Sequence, residues 1–541
     1  MDIDQLKGVS KADKEMLRDI ESMMGPDPDH FGVSKQLFMG KIHDSYLFPF
    51  YDVSVKENKR CEQILSRLKT YLVHDHPRIQ IDRDQFTPKR CINRLFELGI
   101  MGLTIPTSYG GQGLGITSYN RVLEMIGRYC ASTAVIVSAH QSIGCKAIML
   151  FGTTSQKDLW LPSLARTTLS CFCLSEPRVG CDAAGQETTY RKSKDGKFYV
   201  INGAKKWATS GALAGFLTII AKNEDDPKQI SAFIGVPDMS GIDVIQNNRS
   251  KCGIRGTWQA RFKFKNLRIP VVNLIGQEGD GLKIALTCLN YGRCTLSAGI
   301  LGSAKQCQLQ ATKWASTRFQ FKRPLSDFEL VKEKLAKMAA YCFAIDSVLY
   351  STTGLLDRKC KDVMVETAVC KVFSSELGFE VINESMQVMG GEGYMTENEI
   401  ERAYRDCRIH LIVEGSNDVM YPFIFGYGSK FIIDSLLKLK GAFTWQSQDS
   451  LINNFFRLFC NFLNYKLVFH GIFVFLTYFL PFSLKSPKLS VKLRPELLVY
   501  QKSIAQFSKR FYFKSLKTIF KYQEKLLHQQ IVQKHISTVC I

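Results

Sequence analysis

Apolar residues recur at three- and four-residue spacing through residues 56–166, in KENKRCEQILSRLKTYL, RCINRLFELGIMGLTIP and YNRVLEMIGRYCASTAVIVSAHQSIGCKAIMLFG. That spacing predicts helices, broken by a Gly-rich turn at SYGGQGLG. The period changes near Ser170. From there to about Gly276, short alternating or β-branched runs lie between Gly, Asp and Asn turns (KDGKFYVING, GFLTIIAK, QISAFIGVPD, GIDVIQ, ARFKFKNLRIP) and predict a β-rich segment. Helical spacing returns at GLKIALTCLNYGRCTLSAGILGSAKQCQLQATKWASTRFQF and persists through VKEKLAKMAAYCFAIDSVLYSTTGLLD and VETAVCKVFSSELGFEVINESMQVMG. The expected organisation is α+β: an N-terminal extension (1–54), a helical domain (55–166), a β domain (167–278), a second helical domain (279–430) and a helical C-terminal extension (431–541). No fixed-period repeat and no low-complexity tract is visible.

Composition narrows the class. A chain of 541 residues, 45% hydrophobic and 22% charged, is globular and large enough for several cores, which excludes disordered, collagenous and disulfide-stapled proteins. The 17 Cys form no CxxC pair, so neither a zinc site nor a redox dithiol is expected, and reduced thiols fit a reducing compartment. The acid-rich start MDIDQLKGVSKADKEMLRDIESMMG resembles neither a signal nor a transit peptide, and cytoplasmic residence is the expectation.

The net charge of +21 is uneven: residues 430–541 hold 17 Lys/Arg against four Asp/Glu, and residues 431–541 carry 15 of the 36 Phe. LVFHGIFVFLTYFLPFSL (467–484) lacks charge but sits at the lower limit of the roughly 17–25 residues that span a bilayer. Beyond it, Ile504, Phe507, Phe511, Leu516, Ile519, Tyr522 and Leu526 share one helical face, and Arg510, Lys514, Lys517, Lys521 and Lys525 share another. This pattern predicts peripheral contact with an anionic inner membrane face, against the alternative of a helix packed on the core with its basic side in solvent. Nucleic-acid binding is not expected, because the aromatics lie apart from the basic stripe.

Six motifs carry chemistry: FCLSEPRVGCD (172–182), INGAKKWATSG (201–211), GQEGDGLKIALTCLNYGR (276–293), STRFQFKRPL (316–325), QVMGGEGY (387–394) and RDCRIHLIVEGSNDV (405–419). In this order and spacing they resemble the acyl-CoA dehydrogenase flavoprotein family over residues 55–428. AHQSIGCKAIMLFG and the basic extension most resemble its very-long-chain members. The resemblance implies an N-terminal helical domain, a middle β-barrel domain and a C-terminal four-helix bundle. It also implies FAD as cofactor and dehydrogenation of an acyl-CoA, of long chain, to the trans-2-enoyl-CoA, the first step of β-oxidation. Electrons would pass to an electron-transferring flavoprotein, and the enzyme would be a homodimer or homotetramer. An acyl-CoA oxidase using O2, or a membrane-associated assembly protein on the same fold, are the alternatives.

Such a reaction removes a proton from Cα and a hydride from Cβ, so it needs a desolvated carboxylate on one side and a flavin on the other. By resemblance Glu414 is that base. The family's other base position, just before Arg293, is Gly292 here and cannot take a proton. Arg293, Cys181 and Gly415 would meet the substrate, Arg293 at its CoA side. Phe172, Leu174 and Ser175 would line the isoalloxazine, Trp207 would pack on it, and the Thr209 hydroxyl would lie near N5. Arg318, Phe321, Gln387 and Gly391 would complete a neighbouring subunit's FAD, and Ser416 and Asp418 would hold the flavin's diphosphate or ribose. Arg178-Val179 replaces the usual small pair, and Cys181 replaces a Ser with a poorer donor. His410 reads as a structural residue, and GQEGDGLK as a domain-joining turn. Ser132, Ala134 and Ser138 either leave room for a long acyl chain or allow tight helix packing.

Overall fold

The computed structural model describes residues 32–40, 42, 47–443 and 494–541, so the apolar run 467–484 lies outside the described residues. It divides into two compact units. One comprises residues 51–359 and 370–417, and the other gathers residues up to Phe50, 360–369 and 418 onward.

The larger unit begins with the expected helices, Val55–His74, Arg78–Asp84, Lys89–Glu97 and Ile116–Tyr129, and continues through a helical run from Ala131 to Phe151 interrupted by a π-helical turn at Ala139–Gly144. Asp357 caps Ile116–Tyr129 from outside: its carboxylate accepts from the Ile116 and Thr117 amides at 2.6 and 2.8 Å, opposite the positive end of the helix dipole. The strands are β1 (Ser170–Cys173), β2 (Thr189–Lys192), β3 (Phe198–Thr209), β4 (Phe216–Asn223), β5 (Ile230–Gly235), β6 (Ile242–Gln246), β7 (Gln259–Pro270) and β8 (Leu274–Ile275). They form one sheet in the order β6-β7-β3-β2-β4-β5-β8, with β1 parallel to β4. The path is open: β6 and β8 are its ends, so hydrogen bonding does not close the barrel that the resemblance implied. β5 is buried along its whole length and β4 along its first six residues, which explains why their sequences are continuously apolar.

The 37-residue helix Gly281–Thr317 is the spine of the unit. It passes so close to Ile116–Tyr129 that a Cβ on Gly302 would lie 2.0 Å from the Glu124 carbonyl. Helices Glu329–Asp357 and Met364–Met389 follow it in sequence.

The smaller unit has its own core, in which Phe38, Phe425 and Ile432 pack with Phe511, Tyr512, Leu516, Ile519, Leu526 and Ile536 from the tail. Four of the seven residues of the expected membrane-facing stripe are therefore covered by protein, while Ile504 and Phe507 are exposed. The basic stripe Arg510, Lys514, Lys517, Lys521 and Lys525 faces solvent.

Candidate active site

The chain reaches Glu414 through a fixed approach. Helix Glu399–Cys407 is pinned by Arg405, which holds Asp82 with two nitrogens at 2.7 and 3.1 Å. Its neighbour Asp406 accepts from the Ile254 amide at 2.5 Å, and Gly253 lies so close that a Cβ there would meet the Arg405 carbonyl at 2.1 Å. Burial pushes the Asp406 carboxyl up to about 6. A 3-10 turn, Arg408–Leu411, then leads to Glu414 and Gly415, both left-handed at φ +58° and +86°. For a glutamate this conformation costs on the order of 1–3 kcal/mol and persists only where the surroundings impose it.

The Glu414 carboxyl lies against the Cα of Gly292 on the long helix, where a Cβ would sit 2.8–2.9 Å from its Cδ and both oxygens. The side chain is half-buried, and Oε2 is enclosed without a hydrogen-bond partner. Loss of water raises its pKa to about 7, against the pull of two cations, Arg293 and Lys371. Arg293, expected at the CoA side of the substrate, is only 3% exposed. It reaches Asn290 Oδ1 at 3.1 Å and the Glu414 carbonyl at 3.5 Å, so it packs against the turn that carries Glu414. Desolvation lowers it to about 10. His410 is buried with Nδ1 unpartnered, and burial beside Lys371 lowers it to about 4, leaving it neutral at pH 7.

The strands supply a second wall. Phe172 is buried on β1, with Leu174 and Ser175 half-buried just beyond it. Between Lys205 and Ala208 the β3–β7 register slips by one residue, a bulge that turns Trp207 (φ +57°) outward. The indole is 46% exposed, with the Arg249 guanidinium 5.0 Å and the Lys206 ammonium 5.4 Å from its ring centre. Thr209 Oγ1 accepts from Gln259 Nε2 at 2.9 Å, which leaves the threonine proton free to donate elsewhere. Beneath this wall, buried Lys205 donates to the Leu174 carbonyl (3.1 Å), Glu176 Oε1 (2.7 Å) and Gln186 Oε1 (2.5 Å). Glu176 accepts in turn from the Glu187 and Thr188 amides. The segment 174–188 is thereby fastened to β3. Exposed Cys181, on that segment, donates to Ser416 Oγ at 3.7 Å and links the strand wall to the turn that carries Glu414.

The remaining expected residues lie elsewhere. Arg318 is exposed at the end of the long helix, 5.8 Å over the Trp314 ring. Phe321 and Lys322 form a tight turn between Phe319–Gln320 and Arg323–Pro324, both at positive φ, with Phe321 88% exposed. Gln387 and Gly391 are also exposed, and Gly391 has open space where a side chain would be. Ala315 and Met389 share one buried cluster, so these surface residues gather at one end of the helices. Asp418 is exposed in the first turn of Asn417–Phe443. Of the possible tunnel residues, Ser132 Oγ accepts from the Gly256 amide in the loop before β7, Ala134 is in the core and Ser138 bonds Thr295 on the long helix.

Family models for the acyl-CoA dehydrogenase N-terminal, middle and C-terminal domains match residues 69–168, 171–267 and 279–425 in the order of the structure. The chain belongs to the acyl-CoA dehydrogenase family. Human very long-chain specific acyl-CoA dehydrogenase is 34% identical over 397 residues, which is 72% of this chain and 60% of that protein. The probable acyl-CoA dehydrogenase FadE10 of Mycobacterium tuberculosis (strain H37Rv) is 37% identical over 401 residues, with 72% and 61% covered. The chain thus spans about 60% of the length of these relatives. Among solved structures, the acyl-CoA dehydrogenase of Bacillus anthracis complexed with FAD superimposes with a TM-score of 0.77 at 28% identity, over 93% of this chain and 82% of that one. Butyryl-CoA dehydrogenase of Megasphaera elsdenii gives 0.66 at 29% identity, over 71% and 99%.

The acyl-CoA dehydrogenase family is FAD-dependent, and the residues present here fit that group. The outward-turned Trp207 indole, the Thr209 hydroxyl whose proton its bond from Gln259 leaves uncommitted and the Glu414 Oε2 without a hydrogen-bond partner leave aromatic and polar groups available to a ligand on this acyl-CoA dehydrogenase scaffold. Sequence reasoning missed Lys371, Asn417 and Lys205. A period signal existed for both lysines. Lys371 stands on the buried face of its helix with Ala368 and Ser375, and Lys205 has the same strand parity as buried Tyr199 and Ile201.

Proposed function

We propose that this chain catalyses the α,β-dehydrogenation of an acyl-CoA to the trans-2-enoyl-CoA. One observation carries the reading: a desolvated Glu414 with an orphaned oxygen, held on a strained turn against a glycine that leaves it room. A carboxyl poised near 7 is ionised at working pH yet basic enough to take the α-proton of a thioester, which a solvated glutamate near 4.3 is not. FAD, when bound, supplies the acceptor for the β-hydride. Phe172, Leu174, Ser175, Trp207 and Thr209 would hold its ring system, with Thr209 donating a hydrogen bond. Arg293 and Lys371 balance the charge of the Glu414 carboxylate until it takes the α-proton and becomes neutral; the electron pair of the broken Cα–H bond becomes the π bond, while the pair of the Cβ–H bond leaves with the hydride.

Long-chain substrates and an electron-transferring flavoprotein as acceptor are the finer reading, supported by the very-long-chain relatives. The exposed, strained Phe321 turn with Arg318, Gln387 and Gly391 supports a dimer or tetramer in which this surface completes a neighbour's cofactor site. Exposed Ile504 and Phe507 beside the basic stripe support membrane contact by the start of the tail helix.

The test is anaerobic bleaching of the flavin absorbance by palmitoyl-CoA and butyryl-CoA. The long chain should bleach the wild type, and Glu414→Gln should slow bleaching by about 100-fold or more. A flavin that neither thioester reduces would refute the assignment. Stoichiometric peroxide without an added acceptor would replace it with an oxidase.

A further inference from the structure

We propose that Lys371 is a positioning residue for the base: it ties the turn after Glu414 to a rigid helix and stands as the counter-charge of the carboxylate. The inference rests on the dehydrogenase reading above. Lys371 is fully buried on helix Met364–Met389, and its Nζ donates to the Gly415 carbonyl at 2.8 Å and to Asn417 Oδ1 at 2.5 Å. The Asn417 amide donates back to Ser375 Oγ at 3.0 Å and Glu376 Oε1 at 3.1 Å on the same helix. Both residues that leave the left-handed turn are thus held by one helix face. A charged lysine is expensive to bury unless an anion repays it, and here its nearest fixed partners are neutral oxygens.

The charged and titratable groups around this pair are Arg293 and Cys288 from the long helix, Glu376 and Lys371 itself from helix Met364–Met389, Cys181 from the strand wall, and His410 from the approach. Burial lowers Lys371 to about 8, so it still carries its charge where Glu414 titrates. A lysine that merely filled space could be replaced by an apolar chain of its size without moving that titration.

Two variants separate the roles. Lys371→Gln keeps an N–H donor and removes the charge, and Lys371→Met removes both. The acid limb of the palmitoyl-CoA bleaching rate should move to higher pH by about one unit in both, a roughly tenfold loss below the limb. Only Lys371→Met should also lose about tenfold on the alkaline plateau, because the turn is no longer held. The protonated Glu414 carbonyl band in infrared difference spectra, assigned by its loss in Glu414→Gln, should titrate about one unit higher in Lys371→Gln. That readout needs no turnover, so it separates failure of this inference from failure of the dehydrogenase reading. An unshifted band and limb would overturn the proposal, as would a Lys371→Gln protein that cannot fold, which would make the role structural.

Discussion

Gly292→Ala isolates the geometry of the base from the stability of the protein. The added methyl would lie 2.8 Å from Glu414 Cδ and Oε2 and 2.9 Å from Oε1, whereas unstrained carbon contacts lie near 3.5–4.0 Å. The carboxyl must therefore withdraw by about 1 Å. The obstructing atoms are the far end of a flexible side chain, so folding should lose little, and replacing a mid-helix glycine by alanine returns about 0.5–1 kcal/mol. Catalysis is less tolerant, since a displacement of about 1 Å from the reacting carbon can cost about 100-fold. We therefore expect a variant that melts at or above the wild-type temperature, keeps its FAD and is bleached by acyl-CoA about 100-fold more slowly. Shortening the base supplies an internal control: in Gly292→Ala/Glu414→Asp the carboxyl retreats by one methylene, so the two losses should be less than additive. Stopped-flow anaerobic bleaching of all four proteins completes the cycle. Gly292→Ala at the wild-type rate, or strictly additive losses, would refute the claim that Gly292 exists to seat Glu414.

The same carboxyl should govern pH dependence: bleaching should rise with pH through about 7 and lose that limb in Glu414→Gln, as read by rate against pH. Because the folded pKa lies above the unfolded value, ionising Glu414 weakens the fold as pH rises from about 4 to 7; Glu414→Gln should gain up to about 3 kcal/mol at pH 8, and the gain should vanish below pH 4, as read by urea unfolding. Lys205→Met leaves Glu176 buried without its cation and should cost about 3–5 kcal/mol and release FAD, as measured by melting and cofactor content. Arg318→Ala alters an exposed side chain, so melting of FAD-free protein should be unchanged while FAD retention falls; unchanged retention would remove Arg318 from the cofactor reading.

Whatever depends on local period was legible in the sequence. The change from helical spacing to alternation at Ser170 is where β1 begins, and the return of helical spacing is the helix Gly281–Thr317. The motif around Glu414 singled out that carboxylate, and Gly292 offers no side chain at the family's other base position. What could not be read depends on residues distant in sequence. Lys205 meets Glu176 across 29 residues, and Lys371 meets Asn417 across 46. The tail illustrates the same limit: its amphipathic pattern demands a cover for Phe511, Leu516, Ile519 and Leu526 but does not say whether lipid or Phe38 provides it. The bulge that turns Trp207 outward leaves no mark in INGAKKWATSG, because a bulge is a property of the pairing and not of either strand.

The electrostatics of the site explain why the turn needs so many supports. Burial pushes all three charged groups toward neutrality: Glu414 up to about 7, Arg293 down to about 10 and Lys371 down to about 8. None crosses the point at which it would lose its charge at pH 7.5, because the Glu414 carboxylate holds both cations charged and they hold it, although Arg293 repels Lys371. A base in this state is both available and strong, but only while water stays away and the cations stay close. If the turn relaxed, the carboxylate would hydrate and return toward the ordinary glutamate range, losing two or more pKa units of basicity, roughly 3 kcal/mol. The left-handed Glu414, the Gly292 seat and the Lys371 clamp therefore answer one requirement, which is to keep a carboxylate basic by refusing it the solvent that would make it weak.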